Sequence, residues 1–124
     1  MTVISSWNPA CAGLLLSGSI SLLLFAAGFA TLGSTVFAST FAVFAEHAFD
    51  QLRMSIAQPR LNVKIVASHG GVSTGEDGAS AQSVEDLALF SSLVNFTVCV
   101  PADVVEAEAM TAAAVATPAP DLRR

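Results

Sequence analysis

A histidine and two adjacent carboxylates, each beside glycines, are the residues of this chain whose types and spacing could perform chemistry. His69 closely follows the apolar run at residues 63–67 and precedes two glycines, while Glu76 and Asp77 stand between two further glycines. An imidazole can donate a hydrogen bond to a hydroxyl or shuttle a proton near neutral pH. Glycines let the backbone turn sharply and approach a ligand closely. The stretch therefore indicates a ligand-binding loop.

The elements around this loop predict where it lies. Residues 62–67 are apolar enough for a strand that is buried on both faces, and residues 68–82 form a polar loop. Ser83 with Asp86 makes a capping-box pattern, which predicts a helix to about Leu93, and residues 96–100 predict the next strand. Ligand sites of α/β proteins lie at the carboxyl ends of parallel strands, and His69 falls at such an end.

The first part of the chain predicts the same alternation of helix and strand. Residues 13–32 read as a helix that Gly33 ends, and residues 35–39 are a short β-type run. Apolar residues then recur at helical spacing over residues 41–56, with Thr40 as the N-cap and Pro59 as the stop.

A last helix is predicted near the end of the chain. Asp103 with Glu106 repeats the capping box and opens a helix through about Ala116. The expected fold class is therefore α/β, with a short parallel sheet of three strands flanked by helices.

Composition limits the classes of function. The chain has 124 residues, which is enough for one domain. Its formal net charge is −5 and it contains a single lysine, so it lacks the clustered cations that bind nucleic acid. Cys11 and Cys99 are the only cysteines, and their spacing suggests neither a metal site nor a disulfide, so both are expected to be free thiols.

The uncharged N-terminal segment allows a different class of protein. Residues 12–32 are long enough to span a bilayer at about 20 residues. No Lys or Arg precedes Arg53, so the positive charge that marks a signal peptide or a topology signal is missing. A buried helix is the preferred interpretation, and a membrane span remains the alternative.

The quoted motifs also carry a family resemblance. SHGGVSTGEDG, a helix with VEDLAL and then NFTVCVPAD resemble the pyrimidine-binding domain of the transketolase family of thiamine diphosphate enzymes. AAGFATLGSTVFASTFAVFA with FDQLR is similar to the preceding part of that domain. The likeness divides the chain into an apolar segment at 1–25 without family likeness, an incomplete pyrimidine-binding domain at 26–116 and a loose tail at 117–124.

The resemblance implies roles for particular side chains. Phe41 and Phe44 would stack on the aminopyrimidine ring of thiamine diphosphate, as flat heteroaromatics prefer an aromatic platform. His69 would act at the reactive end of the cofactor or contact substrate, and Asp77 would bind a sugar hydroxyl. No metal ligands are expected here, so Mg²⁺ or Ca²⁺ would bind only through a partner domain that holds the diphosphate.

Three departures from the family pattern bear on activity. The glutamate that protonates the aminopyrimidine is replaced by Ser19, a histidine after GEDG is replaced by Ala81, and the linker at residues 44–49 is one residue short, which puts His47 in doubt. Serine cannot relay a proton at the strength of a carboxylic acid, and no earlier acid substitutes, because Glu46 is the first in the chain.

These features predict a fragment of a transketolase-like cytoplasmic enzyme subunit. The intact family transfers a ketol unit between sugar phosphates, and this chain would need a diphosphate-binding subunit or a homo-oligomer and be inactive alone. Loss of likeness at both ends suggests a truncated or frameshifted product. The alternatives are a small membrane-anchored or non-catalytic interaction protein, and a degenerate module that keeps only a protein-binding surface.

Overall fold

Three parallel strands with helices around them form the architecture of the chain. The computed structural model describes residues 11–14 and 19–118, with side chains from residue 20 onward. The thiol of Cys11, the side chain of Ser19 and the tail after residue 118 lie outside that description. Within it, the strands are β1 (Cys11–Leu14), β2 (Thr35–Phe41) and β3 (Val63–Ser68). Their order β1-β2-β3, parallel throughout, confirms the α/β fold class.

Helices and short turns connect the strands. α1 (Ser19–Thr31) lies between β1 and β2, and α2 (Ala42–His47) follows β2 directly. α3 (Phe49–Gln51) and a π-helical turn (Leu52–Ala57) complete the path to β3. After β3 come two 3₁₀ turns (Gly75–Asp77 and Ala79–Ala81), α4 (Asp86–Ser91) and α5 (Val104–Ala116).

The core lies between β2, α1 and the segment that returns to β3. β2 is the middle strand and its Val36 and Ala38 side chains are buried. α1 and the π-helical turn cover them with apolar side chains, which are Leu22, Leu23, Ala26, Leu52 and Ile56. Burying one such leucine or isoleucine contributes about 1.5–3 kcal/mol. This core fixes the end of β2, from which the site is built.

The helix predicted over residues 13–32 is wrong at its start. Residues 11–14 pair with β2 as β1, and the helix begins only at Ser19. Both elements are apolar, so periodicity does not separate a short buried strand from the helix that follows it. Among the described residues, no helix is both long and apolar enough to cross a bilayer.

The helix predicted over residues 41–56 is divided. Thr40 is not an N-cap, because it belongs to β2 and pairs with Ala67 in the sheet. The helix starts at Ala42 and is interrupted at Ala48, and its last turn widens so that Gln58 N donates to Arg53 O. Helical spacing therefore predicted the burial of Ala45, Ala48, Leu52 and Ile56, but it missed the interruption and the exposure of Phe44.

The first capping box is also wrong, and the second is confirmed. The hydroxyl of Ser83 does not cap α4, which begins at Asp86 with no side-chain cap bond. At α5, Asp103 Oδ1 accepts from Glu106 N at 2.8 Å. Glu106 Oε2 accepts in return from Ala102 N at 2.7 Å. The same pattern thus caps a helix only where no tertiary partner competes for the hydroxyl or carboxylate.

The strand predicted at residues 96–100 is absent, since the segment is irregular and makes no ladder with β3. Phe96 and Val98 still pack against the core. Asn95, just before it, has a φ of 64° and donates from Nδ2 to Ala57 O at 3.2 Å. Apolar and β-branched residues favour a strand only when a neighbouring backbone is in register.

Candidate functional site

Two aromatic rings meet where β2 and β3 end. The parallel register places Phe41, the last residue of β2, opposite Ser68, the last residue of β3. His69 therefore emerges beside Phe41, and the two rings stack with centroids 3.7 Å apart and planes 22° apart. The stacking brings into one site a histidine that the sequence assigned to the loop after β3 and a phenylalanine that it assigned to the helix after β2.

A second phenylalanine extends the stack. Phe44 lies three residues after Phe41, and such residues are neighbours where the chain turns into a helix. Its ring is parallel to that of Phe41, with 5.3 Å between centroids and 4° between planes. His47 follows on the next turn, with its ring 6.3 Å from Phe44 and tilted. Phe41 is covered by His69, whereas Phe44 remains 42% exposed to solvent.

The imidazole of His69 is held at both nitrogens. Nε2 lies 3.2 Å from Oδ2 of Asp77, and Nδ1 lies 2.9 Å from Oγ of Ser68. The His69 backbone has a φ of 64°, the left-handed region that few residues other than glycine adopt. The loop from β3 to the 3₁₀ turn at Gly75–Asp77 therefore folds back on the strand end, and the carboxylate reaches the ring.

Glycines allow that loop to pack closely. Gly70 and Ser83 form a parallel bridge, in which Gly71 N donates to Ser83 O and Ser83 N donates to His69 O. A Cβ on Gly70 would come within 2.9 Å of Asp86 Oδ2. Only a residue without a side chain fits there unless Asp86 moves. The backbone around His69 is thus fixed by α4 as well as by β3.

A cavity of about 320 Å³ opens beside the ring stack. Ser68, His69 and Gly70 contribute its polar edge, and Asp86 adds a carboxylate. Apolar side chains line it as well, which include Leu87, Phe90, Phe96 and Val98. The volume is at the small end of ligand pockets. The predicted strand end therefore lines an open cavity.

The structure brings four predicted residues together, namely Phe41, Phe44, His69 and Asp77. Glu76 lies exposed in the same 3₁₀ turn as Asp77. Ser68 was not predicted as a site residue. Its position next to His69 at the predicted end of a strand could have identified it, because neighbouring side chains at a strand end can contact each other. Within residues 20–118 no three His, Cys, Asp or Glu side chains group as a metal site.

Comparison with known proteins assigns the family. Residues 21–122 match the family model described as "Transketolase, pyrimidine binding domain". A transketolase C-terminal section from Methanocaldococcus jannaschii is 51% identical over 79 residues, which cover 63% of this chain and 25% of that protein. Transketolase-like protein 2 and transketolase of Homo sapiens are 51% and 50% identical over 84 residues, in each case 67% of this chain and 13% of the relative.

A solved structure agrees with this assignment. "Split gene transketolase, inactive beta4 tetramer" superposes with a TM-score of 0.73 at 47% identity, covering 82% of this chain and 32% of that one. The chain spans a quarter or less of the length of the relatives named above. The family model covers well over half of the chain, and it includes the ring stack and the glycine loop. The chain therefore belongs to the transketolase family and carries its pyrimidine-binding domain.

Proposed function

We propose that this chain supplies the pyrimidine-binding half of a thiamine diphosphate site, which a diphosphate-binding partner completes. The observation that carries the proposal is the stack of Phe41, Phe44 and His69 at the joint end of β2 and β3. Phe44 has an exposed ring face on which an aminopyrimidine can lie. When bound, the cofactor would supply the carbanion chemistry that side chains lack.

His69 and Asp77 are proposed to contact the substrate, a sugar phosphate. The Nε2–Oδ2 contact of 3.2 Å places a donor and an acceptor side by side. Such a pair can bind a hydroxyl by donating to it and accepting from it at once. Asp77 is about half exposed and His69 about a quarter, so both can be reached from the loop side. His69 is also the proposed catalytic group, because its ring stacks directly on that of Phe41.

The chain by itself is proposed to be inactive in ketol transfer. Ser19 occupies the position of the proton-relaying glutamate, and a serine hydroxyl is a poor acid and base. Losing a proton-transfer group typically costs about 10²–10⁴-fold in rate. The diphosphate and its Mg²⁺ or Ca²⁺ are assigned to the partner subunit. The proposed location, the cytoplasm, rests on the family resemblance alone.

The partner is proposed to contact α1. One face of this helix exposes large apolar side chains, which are Ile20, Leu24, Phe25 and Phe29, and Leu32 directly after the helix is exposed as well. A contiguous exposed apolar surface of this kind marks an interaction site. The membrane-anchor alternative is not favoured, because the family model includes the whole described length of α1 after residue 20. The partner is a diphosphate-binding subunit or a second copy of the chain.

Isothermal titration tests the proposed cofactor site. Thiamine diphosphate would be titrated with a divalent cation into the chain alone, into a transketolase diphosphate-binding subunit alone, and into their mixture. We expect binding that is tighter in the mixture than in either part. Phe44→Ala should weaken binding in the mixture about tenfold, since an aromatic stack contributes about 0.5–1.5 kcal/mol.

Val115→Ala is the control for this experiment, because Val115 is a 44% exposed apolar residue of α5, outside both the ring stack and the proposed partner surface on α1. Subunit association would be measured in parallel by sedimentation velocity, so that a loss of assembly is not taken for a loss of cofactor contact. The proposal fails if the mixture associates and the cofactor binds no better than to the diphosphate-binding subunit alone.

A further inference from the structure

We propose that Ser68, His69 and Asp77 form a nucleophilic relay that transfers the acyl group of small neutral esters, an activity that needs no thiamine diphosphate. The imidazole of His69 lies between the other two groups, with Ser68 Oγ 2.9 Å from His69 Nδ1 and His69 Nε2 3.2 Å from Asp77 Oδ2. A serine activated by a base that a third group orients is the general arrangement for covalent acyl transfer.

The carboxylate of Asp77 favours one tautomer of the imidazole. An ionised carboxylate only accepts hydrogen bonds, and Oδ2 lies 3.2 Å from Nε2, so a hydrogen on Nε2 is favoured. In that tautomer Nδ1 bears the lone pair, and the hydroxyl of Ser68, 2.9 Å away, can donate to it. Serine deprotonation needs this direction of the hydrogen bond. The Phe41 ring, stacked at 3.7 Å, keeps the imidazole from rotating away.

Water is the only reagent that the proposed reaction needs besides the ester. Ser68 Oγ forms a bond to the ester carbonyl carbon while its proton passes to His69 Nδ1. The tetrahedral adduct collapses, the bond to the alkoxy oxygen breaks, and the departing alcohol takes the proton from Nδ1. Water then attacks the acyl-serine by the same route and releases the carboxylic acid. Asp77 stabilises the transient imidazolium throughout.

The cavity defines the class of substrate. Ser68 lines it together with the apolar side chains of Leu87, Phe90 and Phe96. At about 320 Å³ it accommodates a short apolar acyl chain rather than a lipid. Asp86 also lines the cavity and Asp77 lies next to the imidazole, so anionic esters are repelled. The expected substrates are short-chain, uncharged carboxylic esters.

A short-chain alkyl fluorophosphonate tests the relay directly, because the attacking serine forms an O–P bond and fluoride leaves. The purified full-length chain would be incubated with the probe without thiamine diphosphate, and the labelled peptide identified by mass spectrometry. We expect one phosphonylated residue, Ser68. Ser68→Ala should abolish the label. Asp77→Asn should slow labelling at least about tenfold, because the amide removes the charge that stabilises the imidazolium.

Ser80→Ala is the matched control, since Ser80 is an exposed serine of the second 3₁₀ turn. Its labelling rate should equal that of the unsubstituted chain. Circular dichroism would confirm that each variant retains the helix content of the parent. The proposal is overturned if the folded parent takes no label, if the label maps to another residue, or if the folded Asp77→Asn variant reacts as fast as the parent. None of these outcomes affects thiamine diphosphate binding, so the two proposals are tested separately.

Discussion

The hydroxyl of Ser83 donates to Oε1 of Glu46, 37 residues earlier in the chain. Ser83 is 1% exposed and is the one buried polar side chain among the described residues. Glu46 lies on α2, and Ser83 bridges the backbone next to His69. The bond therefore ties the helix that carries Phe44 to the loop that carries His69, so the two halves of the ring stack are held to each other.

Removing the acceptor of this bond should destabilise the fold. Glu46→Ala leaves the buried hydroxyl of Ser83 without its partner, which costs about 1–3 kcal/mol, whereas Glu46→Gln retains an acceptor oxygen and should cost less. Urea unfolding of the purified chain measures the change. Glu108→Ala, an exposed site on α5, is the control and should stay within about 0.5 kcal/mol of the parent. Equal effects of Glu46→Ala and Glu108→Ala would contradict the assignment.

Gly28 and Gly33 test how the backbone conformation near the end of α1 affects the stability of the fold. A Cβ on either Gly28 or Gly33 meets nothing within 4 Å, but Gly33 has a φ of +85°. Gly28→Ala should therefore stabilise the chain by about 0.5–1 kcal/mol, since alanine is the better helix former. Gly33→Ala should destabilise it by about 1–2 kcal/mol, because L-residues are strained in the left-handed region. Thermal unfolding measures both, and shifts of the same sign would show that φ is not the deciding difference.

Ser19 is the position at which a proton relay could be restored. Ser19→Glu places a carboxylic acid at the first residue of α1. In the mixture with a diphosphate-binding subunit, cofactor and sugar phosphates, we expect ketol transfer to rise by at least about 100-fold over the unsubstituted chain. Ser21→Glu, at an exposed position two residues further along α1, is the control and should give no rise. A comparable gain from both variants would argue against a specific role for position 19.

Lys64 should make stability depend on pH in the alkaline range. Burial lowers the pKa of this lysine, whose Nζ donates to Thr117 O at 3.0 Å. Between the folded and the unfolded pKa the unfolded chain binds more protons, so the free energy of unfolding should increase with pH just below the ordinary lysine pKa. Lys64→Met should lack this increase. Urea unfolding across that pH range gives both slopes, and parallel slopes would rule out Lys64 as their source.

Motifs and local patterns in the sequence predicted the parallel α/β class, the end of β3 just before His69 and the cap of α5. Each of these depends on residues near one another in the chain, such as the exchange between Asp103 and Glu106. The family resemblance supplied Phe41, Phe44 and Asp77 as candidates. The spacing of Phe41 and Phe44 was enough to expect one face, because neighbours along a helical turn are set by backbone geometry.

Only the tertiary structure decided which polar groups meet. Ser83 has the sequence of a helix cap, yet its hydroxyl is used by Glu46, because a buried donor must find an acceptor wherever the packing places one. The stack of His69 on Phe41 likewise depends on the register between β2 and β3, which are distant in sequence. Residues 96–100 are irregular because they pair with none of the described strands. Local pattern fixes what an element can be, whereas long-range packing determines which of its groups are paired.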